Sequence, residues 1–186
     1  MDQSVWYTWM ESRVGKLLLA ADEVGLRHIM FGDGRERAAP DPDWREDVPP
    51  LRETLRQLRA FFAGELRRFD LPLAPKGPSF HQRVWRELCK IPFGETISYG
   101  ELARWVGSPN AFRAVGRANG ANPIAIVIPC HRVIGSNGKL TGYGGGLPRK
   151  EFLLGLERSQ MSLPWDRSGG DAGSQVKSDI ATSSGA

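Results

Sequence analysis

Only two cysteines occur in the 186 residues, Cys89 and Cys130, and neither stands in a C-x-x-C pair or beside a second cluster of metal-type ligands. That scarcity argues against a disulfide framework and against a structural zinc site. In a reducing compartment it leaves Cys130 free to act as a thiolate. No stretch approaches the ~20 apolar residues that span a bilayer, and Met1-Asp2-Gln3-Ser4 lacks the basic segment followed by an apolar one that opens a secretory signal. The expectation is an intracellular, cytoplasmic chain. No internal repeat is visible. From Asp166 onward there is no aromatic residue and mostly Ser, Gly, Ala and Asp, too little apolar surface to offset the entropy of ordering. Residues 161–186 are therefore expected to form a disordered tail. With 40% hydrophobic residues, the remainder suffices for one medium domain or two small ones around a real core.

Three short apolar or aromatic runs, Val5–Met10, Lys16–Ala21 and Leu26–Phe31, are separated by turn-like Ser12-Arg13-Val14-Gly15 and Asp22-Glu23-Val24-Gly25, which predicts an antiparallel meander. Residues 32–50 are rich in Gly, Pro and Asp and read as loop. Leu51, Leu55, Leu58 and Phe62 then recur at helical spacing until Gly64. The connector Leu71-Pro-Leu-Ala-Pro-Lys-Gly-Pro78 has the composition of a stiff, exposed linker. It divides the chain into domains 1–75 and 76–160. Beyond it, Ser79 with Gln82 and Ser98 with Glu101 have capping-box spacing. They predict helices through Cys89, with Val84, Trp85 and Leu88 inward, and up to Gly107. Ser108-Pro109 predicts an N-cap and first-turn proline for a further helix through Asn119. Two short helices around a glycine-containing turn form a helix-turn-helix signal. Ile124–Ile128 is an unbroken β-branched run, a buried strand or extended core segment ended by Pro129. A glycine-rich loop over 141–146 and an amphipathic helix over 148–157 complete an α+β N-terminal domain followed by a helical C-terminal domain.

Charge is unevenly spread. Residues 1–75 carry 11 basic and 13 acidic side chains, 76–160 carry 12 and 5, and 161–186 carry 2 and 3, so an excess of +7 sits in the middle segment. Such a segment is the footprint of a phosphate-binding surface, and equally the composition of a solvated face. Within it, Pro129-Cys130-His131-Arg132-Val133 places a thiol after a buried run with an imidazole beside it. A cysteine is nucleophilic only as its thiolate, which a helix N-terminus or an imidazole favours. Sequence neighbours point in different directions. His131 is therefore expected to reach the sulfur through a water, with a carboxylate from elsewhere holding the ring. Alone, a Cys-His dipeptide is also compatible with a structural role.

At these residues the chain resembles the O6-alkylguanine-DNA alkyltransferases, the methylated-DNA–protein-cysteine methyltransferases, over about residues 5–158. The resemblance rests on Pro-Cys-His-Arg-Val at 129–133 preceded by Asn122-Pro123. It is supported in order by Ile91-Pro-Phe-Gly-Glu-Thr-Ile-Ser-Tyr99, Arg113-Ala-Val-Gly116, Gly142-Tyr143 with Gly145-Gly146, and Lys150-Glu151 through Leu154 to Glu157. It implies a ribonuclease-H-like N-terminal domain and a C-terminal domain with a winged helix-turn-helix. It implies a DNA-repair methyltransferase that flips O6-alkylguanine from the duplex and takes the alkyl group irreversibly onto its own cysteine, with O4-alkylthymine left open. The implied partner is double-stranded DNA, bound by a monomer with cooperativity left open, and no cofactor or metal is implied. Cys130 would be the acceptor, His131 the water-linked base and Glu157 the carboxylate that orients it. Asn122 would hold the helix-turn-helix against the active-site segment. Tyr99 would line the base pocket and protonate the leaving purine at N3, and Val133, Tyr143, Gly144 and Gly145 would enclose the base. Arg113 would fill the gap in the stack. Phe112, Ala114, Gly116 and Arg117, with Tyr99, would face the minor groove.

Three departures qualify the match. Phe112 stands where a small residue is usual, Ala125 where proline is common, and no cysteine precedes Cys89 to serve the zinc site that some members carry. Rival readings are a non-catalytic DNA-binding module, whose alkyltransferase-like versions lack the acceptor cysteine that this chain has, and a cysteine hydrolase, for which no oxyanion-hole signature is evident.

Overall fold

The computed structural model describes residues 4–33 and 38–162. The tail expected over 161–186 therefore falls almost wholly outside the described residues, apart from Met161 and Ser162, which belong to the last helix and its cap. Strands β1 (Trp6–Met10), β2 (Leu17–Ala21) and β3 (Leu26–Phe31) form the predicted meander, antiparallel throughout, and β4 (Arg45–Glu46) adds a parallel edge in the order β3-β2-β1-β4. β4 was not legible. It is two exposed charged residues in a stretch read as loop, paired only through main chain. Central β2 is buried at all five positions, which is why Leu17-Leu-Leu-Ala-Ala reads as a continuous apolar run rather than an alternating one.

Helix α1 (Arg52–Ala63) turns Leu55, Leu58, Phe61 and Phe62 inward and stops at Gly64, whose φ of 85° is a left-handed cap. The connector that follows is less exposed than its composition predicts. Leu26 N donates to Pro72 O at 2.8 Å and Ala74 N to Leu26 O at 2.9 Å, so the connector runs along the edge of β3, with Ala74 buried. Farther along the same strand, Ile29 N donates to Pro123 O (2.9 Å) and Ala125 N to Ile29 O (3.1 Å). One sheet edge thus carries both the linker and the segment leading to Cys130.

Helix α2 (Ser79–Leu88) forms, but its capping box does not. Pro78 occupies the N-cap, Ser79 is already helical, and the Gln82 amide instead donates to Gly77 O at 2.8 Å. After β5 (Ile97–Ser98), helix α3 (Tyr99–Trp105) has the predicted box in full. Glu101 N donates to Ser98 Oγ at 3.1 Å, and Ser98 N to Glu101 Oε2 at 2.7 Å. Helix α4 (Phe112–Gly120) begins three residues later than expected. Gly107 takes φ 73°, and Ala111 N donates to Ser108 O at 2.9 Å, so Ser108-Pro109 makes a turn before the helix rather than its first residues.

Ile124–Ile128 is buried as predicted but is not a strand. After one bridge to Ile29 the chain reverses. Val127 N donates to Ala125 O around Ile126 at φ 73°, a γ-turn that strains a β-branched residue. A second tight bond, Cys130 N to Ile128 O at 2.8 Å, delivers a single 3-10 turn over Cys130–Arg132. β6 (Val133–Ile134), paired parallel with β5, and helix α5 (Leu147–Met161) follow. The buried side chains form one continuous cluster from Leu17 and Phe61 through Trp85 and Val115 to Ile128 and Leu153. Among the described residues no helix is long and apolar enough to cross a membrane.

Candidate active site

The double reversal before Cys130 holds the thiol under the end of α4. Asn122, just past that helix, donates from Nδ2 to Ile128 O (2.8 Å) and to Cys130 Sγ (3.0 Å), and its Oδ1 accepts from Ile124 N (3.0 Å). Its amide therefore both fastens the reversal and touches the sulfur, a contact the sequence did not suggest. Cys130 is buried, and that burial pushes its thiol up to about 11, against the pull of Asn122 and the Lys150 ammonium. The helix start expected to lower this value is a single 3-10 turn, too short for an appreciable dipole.

His131 and Glu157 are both completely buried, with Nε2 and Oε1 2.7 Å apart. Glu157 also accepts from Arg132 Nε and Nη2, each at 3.0 Å, and from Gly94 N at 3.0 Å. Burial raises its carboxyl, but the bonds from His131 and Arg132 outweigh that and leave it ionised, at about 2. An ionised carboxylate can only accept, so Nε2 of His131 donates and Nδ1 keeps its lone pair. Nδ1 is buried and finds no hydrogen-bond partner among the described residues. Burial lowers the imidazole's affinity for a proton despite the pull of Glu157, so the ring rests neutral. Glu157 is the orienting carboxylate in geometry, not a solvated charge at a helix end.

Tyr99, first residue of α3, points its hydroxyl at Thr141 O (3.3 Å) and Gly142 O (3.4 Å), and its ring lies against Gly116, where an added Cβ would sit 3.8 Å away. Val133 is buried and its carbonyl accepts from Lys150 Nζ. Tyr143 is buried edge-on to Phe31 at 5.8 Å, with no partner for its hydroxyl among the described residues. Gly145 is required by that ring, since a Cβ there would lie 2.5 Å from Phe31, whereas Gly144 has only Gly120 O within reach, at 3.7 Å. The α4 residues form a separate outward face. Phe112 is 52% exposed with the Arg113 guanidinium 5.8 Å over its ring, Arg117 is exposed, and Ala114 and Gly116 are half-buried. Ala125 is buried in the reversal.

Three side chains have functional geometry that the sequence reading gave no role. Arg132 shares Glu157 with His131 and donates from Nη1 to Ile91 O at 2.6 Å. Asn119 is buried on α4 with Nδ2 3.4 Å from Cys130 O. Lys150 is completely buried, and its ammonium, brought down to about 8 by burial, also donates to Thr141 O at 2.8 Å. Arg132 and Lys150 lie inside quoted motifs. A charged residue at a fully apolar register was the only available signal, and it does not say which partner the charge meets. Among the described residues no group of three or more His, Cys, Asp and Glu is placed to hold a metal ion.

Residues 5–75 match the ribonuclease-like domain of 6-O-methylguanine DNA methyltransferase, and residues 79–159 match its DNA-binding domain. The chain belongs to this family. The methylated-DNA–protein-cysteine methyltransferase of Methanosarcina barkeri is 54% identical over 157 residues, covering 84% of this chain and 99% of that one. The Mycobacterium tuberculosis protein of the same name is 48% identical over 156 residues, covering 84% and 94%. The crystal structure of M. tuberculosis O6-methylguanine methyltransferase superimposes with a TM-score of 0.78 at 48% identity, covering 87% of this chain and 96% of that one. M. tuberculosis OGT in complex with DNA does so with 0.78 at 49%, covering 83% and 94%. The family's two-part architecture, an α+β half followed by a helical half, is the one this chain shows.

Proposed function

We propose that this chain repairs DNA by direct reversal, turning an O6-alkylguanine nucleotide out of the duplex and transferring its alkyl group to Cys130 in a single irreversible turnover. The observation that carries the reading is the buried His131–Glu157 pair, whose geometry leaves the lone pair on Nδ1, on the residue next to a thiol already held by Asn122. The thiol proton passes through a bridging water to Nδ1 of His131, and Glu157 balances the imidazolium that forms. The sulfur displaces O6 at the alkyl carbon, so one S–C bond forms as the C–O6 bond breaks. The electron pair goes to the purine, which Tyr99 protonates at N3. The product thioether has no carbonyl or phosphoryl centre that water attacks, so the thiol is not regenerated and each chain acts once.

The outward face of α4 meets the minor groove, its small residues letting the backbone approach while the basic excess of 76–160 supplies phosphate contacts. Arg113 takes the place of the extruded base, at a cost of a few kcal/mol that a damaged pair reduces. Val133, Tyr143, Gly144 and Gly145 wall the pocket. We assign residues 1–75 and 76–160 to the two domains. The residues that hold Cys130, His131 and Glu157 lie within residues 94–157 of a single chain, and we propose that the protein acts as a monomer. We place it in the reducing cytoplasm, where a free thiol persists. The test is intact-mass measurement and peptide mapping after incubation with a duplex containing O6-methylguanine. One added methyl per chain, on Cys130, is expected. Sustained turnover, or the methyl on Cys89, defeats the proposal.

A further inference from the structure

Arg149, in the first turn of α5, reaches out of its own half of the chain. Its Nε donates to Val14 O at 2.6 Å, Nη1 to Gly145 O at 2.9 Å and Nη2 to the Asp33 carboxylate, while Cζ lies 5.0 Å over the Phe31 ring. That ring fills the space left by the missing Cβ of Gly145 and meets Tyr143 edge-on. The next residue, Lys150, donates to Thr141 O at 2.8 Å. Consecutive side chains of α5 therefore grip the glycine-rich loop at both ends, Lys150 at Thr141 and Arg149 at Gly145. An open cleft of about 410 Å³, lined by Arg13, Val14, Gly15, Gly145, Pro148, Arg149 and Phe152, adjoins the Gly145 end of the loop.

By contrast, the hydrogen bonds that hold Cys130, His131 and Glu157 come from residues 94–157. Besides the β3 edge at Ile29, which bonds Pro123 and Ala125, the N-terminal half reaches the site through Arg149 and the loop, at Val14, Phe31 and Asp33. We propose that Arg149 is a positioning residue that, with Phe31, fixes the Tyr143–Gly145 wall of the base pocket and transmits the N-terminal half's contribution to substrate recognition. This rests on the reading of Cys130 as alkyl acceptor and of the loop as pocket wall. A planar fork of five donors can serve two carbonyls and a carboxylate in fixed directions, which an ammonium cannot do. The carbonyl bonds carry the function. Asp33 is 71% exposed, and an ion pair so solvated contributes little.

The test is inactivation of the full chain by free O6-benzylguanine, read as a half-saturating concentration and a saturating rate constant, with thermal unfolding run beside it. Arg149→Ala and Arg149→Lys are each expected to raise the half-saturating concentration about tenfold and leave the saturating rate constant within about twofold, because the wall shifts while the Cys130 chemistry is untouched. Asp33→Asn is expected to change neither value by more than about twofold. Phe31→Leu, which removes the ring beneath the guanidinium, is expected to raise the half-saturating concentration and serves if the arginine variants do not fold. A wild-type half-saturating concentration in folded Arg149→Lys, or in Phe31→Leu where Arg149→Lys is unfolded, overturns the proposal. So does a loss confined to the saturating rate constant. Failure of the unmodified chain to take up a methyl group from the O6-methylguanine duplex would instead count against alkyl transfer itself.

Discussion

At the scale of single residues, the site is a thiol kept protonated beside a base kept neutral. Burial holds Cys130 at about 11 instead of the ordinary value near 9, and it holds His131 neutral. The thiol form is favoured below the raised value, so at pH 7 the free protein carries its sulfur almost wholly as the thiol. Reaction with a small alkylating reagent such as iodoacetamide should therefore climb about tenfold per pH unit up to about 11, read by peptide mapping at Cys130 because the exposed Cys89 can react as well. A plateau at Cys130 below pH 8 would show a thiolate preformed in the free protein. The proton transfer to His131 would then be unnecessary. Such economy has a physical advantage, since a nucleophile created only when substrate is seated is protected from adventitious reagents.

At the scale of elements, capping chemistry decided where sequence signals were obeyed. Ser98 and Glu101 satisfy each other's backbone donors, and α3 begins where they predict. Ser79 and Gln82 have the same spacing, but Pro78 takes the cap position and the box is never formed. No side chain caps α4, and the turn closed by Ala111 N on Ser108 O sets its start at Phe112, which puts that ring and Arg113 side by side in the helix's first turn. If Arg113 replaces the extruded base, Arg113→Ala should slow repair of alkylguanine in a duplex strongly yet leave inactivation by free O6-benzylguanine nearly unchanged, because no stack is opened there. Phe112→Ala should show the same pattern if the ring wedges between base steps. A uniform loss of affinity with the salt slope reduced by about one would make Arg113 a phosphate contact. Equal loss toward duplex and free base would place it in support of the pocket or fold.

At the scale of the whole molecule, the two halves share one buried cluster and one sheet edge, where β3 bonds both the connector at Pro72 and the active-site segment at Pro123 and Ala125. A linker of prolines suggests independent units. The hydrogen bonds on β3 join them. Heating should therefore give one cooperative calorimetric transition, with van't Hoff and calorimetric enthalpies equal. Two resolved transitions would show that the halves unfold separately and that the shared cluster is a weak interface.

The sequence by itself determined the three-stranded meander, the apolar faces of α1 and α2, the helix pair and the Pro129–Val133 motif, because periodicity, turn residues and a short motif are local properties that one stretch of chain carries alone; the residues farther off that meet Cys130 and His131 were implied only by the family resemblance. Tertiary structure decided the rest. Ile124–Ile128 has the composition of a strand, yet it becomes a strained reversal because β3 offers an edge at Ile29 and Asn122 satisfies the backbone groups that the turn leaves over. The partners of Glu157, Lys150 and Arg149 lie between 4 and 135 residues away. Which charge meets which carbonyl is fixed only when the core closes and excludes the water that would otherwise have served them all.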